Sequence, residues 1–141
     1  MRIAALSTLL MMLAVAAASA ADPTGTWLTK AEDALIKISV CGPALCGSIV
    51  WLKDSLDPVT GKPATDKKNS DATKRSRPLL GLEVLSALKP SGTPNRWDGR
   101  IYSVDDGWNV NGRLTLTDSK TLRVEGCLFG LCRGEDWTRR E

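Results

Sequence analysis

Arg75 and Arg77 stand two residues apart, where a polar stretch runs into Pro78 and an apolar segment. Each guanidinium presents a planar fork that grips a carboxylate or phosphate through paired hydrogen bonds, so together they form a candidate clamp for an acidic head group. Lys67, Lys68 and Lys74 continue the same basic run, and a solvated charged face gives the same pattern. Trp108, directly behind Asp105-Asp106-Gly107, is placed for the rim of a site, where an indole can stack on a ligand and keep its N–H in water. Arg75, Arg77 and Trp108 are the ligand-binding candidates.

Little else in the chain points to catalysis. There is no histidine, which removes the commonest general base near neutrality, the commonest metal ligand and the Ser-His and Cys-His nucleophile pairs. Acidic residues adjoin at Glu32-Asp33, Asp105-Asp106 and Glu135-Asp136. Glycosidase carboxylates are paired in space, so adjacency along the chain reads as turn and surface charge. The expectation is a protein that is not an enzyme and needs no cofactor or metal.

The four cysteines, Cys41, Cys46, Cys127 and Cys132, form two Cys-x4-Cys pairs. Far-separated pairs are also how a four-thiolate zinc site looks, but four intervening residues is the upper end of ligand spacing, and an exported thiol oxidises first. Export is expected from the N-terminus. Arg2 precedes an apolar run that ends in Ala18-Ser19-Ala20, the small-x-small pattern of a cleavable signal. The run is shorter than a membrane span and lacks a basic stop-transfer cluster. Ala21-Asp22 follows in place of a lipidated Cys, so neither a span nor a lipid anchor is expected.

Two regions result: a signal peptide over 1–20 and one domain over 21–141, in a periplasmic location. Removing 1–20 takes only Arg2 from a net charge of +3, and a nearly neutral domain lacks the basic footprint of a nucleic-acid binder.

The elements that must position these residues read as strands. Ile36, Ile38 and Val40 alternate with Lys37 and Ser39; Leu122 and Val124 alternate with Arg123 and Glu125. This is the period of half-buried strands. A first strand near 26–29, strands over 34–41 and 46–53, an apolar segment over 79–88, and strands near 97–102, 108–116, 121–127 and 132–138 make about eight. Short turns between them suit an all-β, up-and-down antiparallel barrel. Trp51, Trp97 and Trp137 lie on strand patterns and are expected in its core. Residues 54–76 form a long polar loop, a length that is functional or mobile when it occurs in a compact domain.

In a meander the turns alternate between the two ends. The loops at Gly42 and Leu128 are the second and seventh connections and fall at opposite ends, so the pairing must be local: Cys41 with Cys46 and Cys127 with Cys132.

Trp27 in Gly25-Thr26-Trp27, the two Cys-x4-Cys hairpins, Gly47-Ser48-Ile49-Val50-Trp51-Leu52, Arg75-Ser76-Arg77-Pro78-Leu79-Leu80-Gly81-Leu82, Gly99-Arg100-Ile101-Tyr102, Leu114-Thr115-Leu116 and Cys132-Arg133 with Trp137 resemble a family of small exported bacterial proteins. That family is catalogued as a domain of unknown function and described as lipocalin-like. The resemblance implies a calycin-type barrel in the periplasm. The Gly-x-Trp opening is also similar to the first-strand motif of lipocalins, which implies that Trp27 closes one barrel end under Arg139 or Arg133.

The functional expectation is a binding module for a hydrophobic or amphipathic small molecule. The alternative is a protein-interaction or inhibitor protein acting through the 54–76 loop. Protein recovered from the periplasm should begin at Ala21 and carry no free thiol. Mass spectrometry after alkylation checks both, and an intact N-terminus or an alkylated Cys would overturn the export argument.

Overall fold

Most stretches between the Gly, Pro, Asn and Asp clusters carry an apolar side chain at every second position, and each becomes a strand. The computed structural model describes residues 21–141; the signal peptide expected at 1–20 lies outside the described residues. In chain order the strands are β1 (Gly25–Leu28), β2 (Ala34–Cys41), β3 (Ala44–Leu52), β4 (Glu83–Pro90), β5 (Arg96–Ser103), β6 (Trp108–Asp118), β7 (Thr121–Leu128) and β8 (Leu131–Arg139). Each pairs antiparallel with the next, and β8 returns to β1, closing an up-and-down barrel of the lipocalin-like kind that the sequence implies.

One end of the barrel is solid. Trp27, Ile38, Leu88, Leu114 and Leu122 are almost fully buried there, with Trp97 beside them. Trp27 faces Arg139 across the β1–β8 seam, and the Arg139 guanidinium stacks 4.3 Å from its ring centroid. Arg139 also donates to the carbonyls of Thr24 (2.6 Å), Asp22 (2.9 Å) and Ser119 (2.8 Å). Of the two expected partners for Trp27, Arg139 is the one that closes the barrel; Arg133 lies farther along β8, toward the other end.

Trp51 is the exception among the tryptophans expected in the core. The β2–β3 register shifts between Leu35 and Ile36, so Ile36 pairs with Ile49, Leu35 with Trp51, and Val50 is extra. A bulge reverses the alternation beyond it. Trp51 therefore turns to solvent, and Leu52 takes the inward side.

Both disulfides pair locally, Cys41 with Cys46 and Cys127 with Cys132, and no free cysteine exists among the described residues. The hairpin loops are shorter than the four residues expected, because the strands run on past the cysteines. Cys41 pairs with Ala44 around Gly42-Pro43, and Leu128 pairs with Leu131 around Phe129-Gly130. Gly42 has φ 60° at the first turn position, as a II′ turn requires; Phe129 and Gly130 have φ 50° and 78°, the I′ pattern. Cys127 faces Cys132 directly, whereas Cys46 faces Ser39, so the first bridge is diagonal.

The long connection from β3 to β4, residues 53–82, is a strap fastened to the barrel wall rather than a free loop. It holds two bridges, Leu56 to Pro63 and Thr65 to Pro78, and a 3-10 turn at Ala72–Lys74. Its fastening is Asp66, which is fully buried. The Asp66 carboxylate accepts from Tyr102 Oη of β5 (2.6 Å), Asn69 Nδ2 (2.8 Å) and Arg77 Nε (2.8 Å), and the Arg77 guanidinium lies 5.0 Å from the Tyr102 ring centroid. Farther along, Ser70 N donates to Gly107 O at 2.9 Å. Gly107 has φ +79°, and a Cβ there would run into the Lys68 carbonyl. Only glycine lets the strap lie this close.

Burial alone pushes the Asp66 carboxyl up, but the hydrogen bonds from Asn69, Tyr102 and Arg77, together with the Arg77 charge, hold it below the ordinary carboxylate range. Burial pushes the Tyr102 hydroxyl up, and its bond to the Asp66 carboxylate adds to the rise. Asp66 contributes stability that is fully present above its unfolded value of 3.8 and lost as pH falls through the lower folded value. The protonated Tyr102 contributes stability present below 10.0 and lost as pH rises through its higher folded value. Melting temperature against pH should therefore fall at both extremes, and Asp66→Asn should flatten the acid limb. Asp66→Ala strands the buried Tyr102 hydroxyl and leaves the part-buried Arg77 guanidinium unpaired, and should cost about 2–3 kcal/mol in urea unfolding; a loss under about 1 kcal/mol would show a strap that floats free.

Candidate functional site

Above the solid end the barrel is hollow. A cavity of about 720 Å³ opens at the end that carries the β5–β6 and β7–β8 turns, lined by Ile101, Val110, Val124 and Trp137 with Trp108, Leu128, Phe129 and Leu131 at its rim. A neighbouring cavity of about 430 Å³ shares Ile101, Glu135 and Trp137 with it and extends over Ile36, Ile49 and Leu85 to Leu79 of the strap. Both volumes lie in the range of small-molecule sites. Trp137 pairs with Leu122 of the packed layer, so its indole separates the filled half from the open half.

The hollow follows from the strand parity. Inward positions near the solid end carry Trp27, Trp97, Leu114 and Leu122, whereas β7 and β8 turn Gly126, Arg133 and Glu135 to the open half. Gly126 contributes no side chain, and the two charged residues reach toward water.

The polar groups at the mouth are unevenly distributed. Glu135 Oε1 accepts from Trp137 Nε1 at 2.7 Å, Asp106 Oδ2 from Ser103 Oγ at 2.8 Å and Asp33 Oδ1 from Thr29 Oγ1 at 2.7 Å. Asp54 and Asp105 line the smaller cavity. Arg133 is the cation on the wall of the larger one, and it takes part in no ion pair among the described residues. The arrangement can hold an apolar body against Ile101, Val124 and Trp137 while a polar end meets Arg133 or water. Cys41 and Cys46 lie near Glu83, but both sulfurs are committed to their disulfide and offer no thiolate to a metal.

Of the ligand-binding candidates named from sequence, Trp108 stands at the rim as expected, half exposed and on the cavity wall. Arg75 and Arg77 line neither cavity. Arg77 belongs to the Asp66 fastening, and Arg75 Nε donates to Asn69 O at 2.8 Å within the strap. The pair sits where the strap returns to the barrel, so its spacing reflects anchorage. Of the strap's few large apolar residues, Leu56, Val59 and Leu80 are exposed.

Sequence reasoning missed Arg133 and Glu135 as cavity residues. The signal was present: counting back by twos from Trp137, a buried position, gives Glu135 and Arg133 on the same face of β8. The charge of these residues hid it, since inward strand positions are read by their apolarity.

Comparison with known proteins adds to this geometry. Among solved structures, protein HP1028 from the human pathogen Helicobacter pylori, described as belonging to the lipocalin family, superposes with a TM-score of 0.70 at 18% identity, over 85% of this chain and 84% of that one. At that identity the likeness is one of fold. No curated protein matches the chain. Residues 25–139, from the first strand to the last, match the family described as "Uncharacterized protein conserved in bacteria". With its barrel closed by β1 and β8 inside those bounds, the chain belongs to that bacterial family, DUF2147.

Proposed function

We propose that this protein is a periplasmic binding module, not an enzyme, that takes a hydrophobic or amphipathic small molecule into the open half of its barrel. The observation that carries the reading is the apolar cavity of about 720 Å³ above Trp137. An apolar tail there would lie on Ile101, Val110 and Val124, and its removal from water is favourable by about 25 cal/mol per Å². An acidic head would meet Arg133, the cation on the wall of that cavity, which makes no ion pair among the described residues. The two disulfides fit an oxidising compartment, which supports the periplasmic location.

Phenylnaphthylamine, a neutral apolar dye, should bind with quenching of tryptophan emission. Val124→Trp fills the cavity from β7 and should weaken the dye at least about tenfold, in proportion to the apolar area it can no longer bury, while the circular dichroism spectrum stays that of the parent. Equal dye binding by parent and variant would overturn the cavity reading.

The head-group assignment has its own check. A long-chain carboxylate should compete with the dye better than the corresponding alcohol, and Arg133→Ala should remove that preference, a loss of about tenfold for one charge-assisted contact of roughly 1.5 kcal/mol. The combined Arg75→Ala and Arg77→Ala variant should keep the preference. Loss there, with Arg133→Ala silent, would return the role to the strap arginines.

A further inference from the structure

The β7–β8 hairpin ends in Leu128-Phe129-Gly130-Leu131, and its apolar side chains are not folded inward. Phe129 is fully exposed, Leu131 is 77% exposed, Leu128 51%, and Trp108 at the start of β6 49%. All four stand on the rim of the larger cavity. A bulky residue is also an unexpected occupant of the left-handed turn position at Phe129, φ 50°, where Asn, Asp or Gly fits without strain. The Cys127–Cys132 bridge fixes the base of the turn one residue pair below the tip. An apolar projection is thus held rigidly out in water at the entrance to an apolar cavity.

We infer that this hairpin tip docks on the surface of a lipid bilayer built of zwitterionic, amine-headed lipids, and that the cavity is loaded from there. The inference rests on the proposed ligand class in one respect: an apolar ligand is scarce in water and abundant in a bilayer. What covers the tip is decided by area. Four side chains of this size, half to fully exposed, offer on the order of 500 Å², less than the roughly 800 Å² per partner of a stable protein interface. A short projection suits a bilayer better, since apolar residues need to enter only about 5–10 Å to reach the acyl boundary.

Charge selects the lipid. Asp105 and Asp106 lie on the turn beside the tip and line the two cavities at the mouth. Arg133 on the wall of the larger cavity and Lys68, whose backbone abuts Gly107, stand at the same end, so the mouth carries both signs and suits a zwitterionic surface of phosphate and ammonium groups.

The test is flotation with vesicles of phosphatidylethanolamine and phosphatidylcholine. The parent protein should float with them, with a blue shift in tryptophan emission, and should float no better when phosphatidylglycerol replaces half the lipid. Phe129→Asn combined with Leu131→Thr should weaken vesicle partitioning about a hundredfold, the expected effect of withdrawing two large apolar side chains. Its melting temperature should not fall, because both side chains are exposed and Asn suits the turn.

Val124→Trp separates this inference from the cavity reading: it should lose the dye yet still float. If it sinks, the protein associates by extracting lipid into the barrel, and docking through the tip is overturned. Failure of the parent to float, equal flotation of the tip variant, or a concentration-dependent dimer abolished by the tip substitutions would each overturn it too. Dye binding by a parent that does not float would leave the cavity reading standing alone.

Discussion

Closure of the β1–β8 seam is the constraint on which the rest of this barrel depends. A sheet rolled into a barrel loses its free edges only if the last strand finds the first, and here the first strand is four residues long. Strand pairing across the seam is confined to Trp27 with Arg139 and Leu28 with Thr138, and beyond the end of β8 Thr26 O accepts from Arg140 N and Glu141 N while Thr26 N donates to Glu141 O. Arg139 supplies what the short strand cannot. Its guanidinium stacks on the buried Trp27 ring while its N–H groups bind carbonyls of the N-terminal segment and of the β6–β7 turn. One side chain thereby ties β1, β8 and the β6–β7 connection into a lid over the packed core. A lysine in its place would keep the charge and lose the fork that reaches three carbonyls together.

The opposite end is secured by different means and at a greater electrostatic cost. An isolated buried carboxylate is expensive, and it is tolerated only where its lone pairs are matched. Asp66 meets that condition with three donors from three directions, one of them charged. The middle of the strap is fixed at this well-satisfied point and by the close approach at Gly107, and its C-terminal end is bonded to β3. β4 begins at Glu83, short of the height that β3 reaches at Leu52. Above Ser48–Glu83, the last β3–β4 pair at the mouth end, the strap closes the wall: Ile49 N donates to Leu82 O, and Gly81 N to Ile49 O. The strap is therefore wall as well as connection, which is why Leu79 appears on the cavity surface.

The sequence made the barrel legible because its evidence is local: alternation within strands, Gly and Asp at turns, and the parity that sends successive turns to opposite ends. It also made the Trp27 closure legible, through the likeness of Gly25-Thr26-Trp27 to a known first-strand motif. It hid what depends on contacts between distant segments. Asp66 and Tyr102 are 36 positions apart, and nothing in the composition of 54–76 distinguishes the one buried carboxylate from its solvated neighbours. Arg75 and Arg77 looked like ligand groups because a pair of arginines signals an anion, and the anion that Arg77 meets is the chain's own. Trp51 was misplaced by one extra residue in β3, since alternation carries no mark of a bulge.

The uneven filling of the interior connects these features to function. A barrel of eight strands is just wide enough to be filled by its own side chains or to hold one small ligand, and this one is filled at one height and hollow at the other. Tryptophans and leucines occupy the half closed by Arg139. The half that opens beside the strap and the β7–β8 turn has glycine and charged residues at inward positions of β7 and β8, which cannot pack into a dry core. Both hairpin disulfides span five positions, so the chain entropy each removes from the unfolded state is small. The first pins the tight turn at the packed end. The second pins the turn that carries Phe129 at the open end, where no packing from inside the barrel would hold an apolar tip in place.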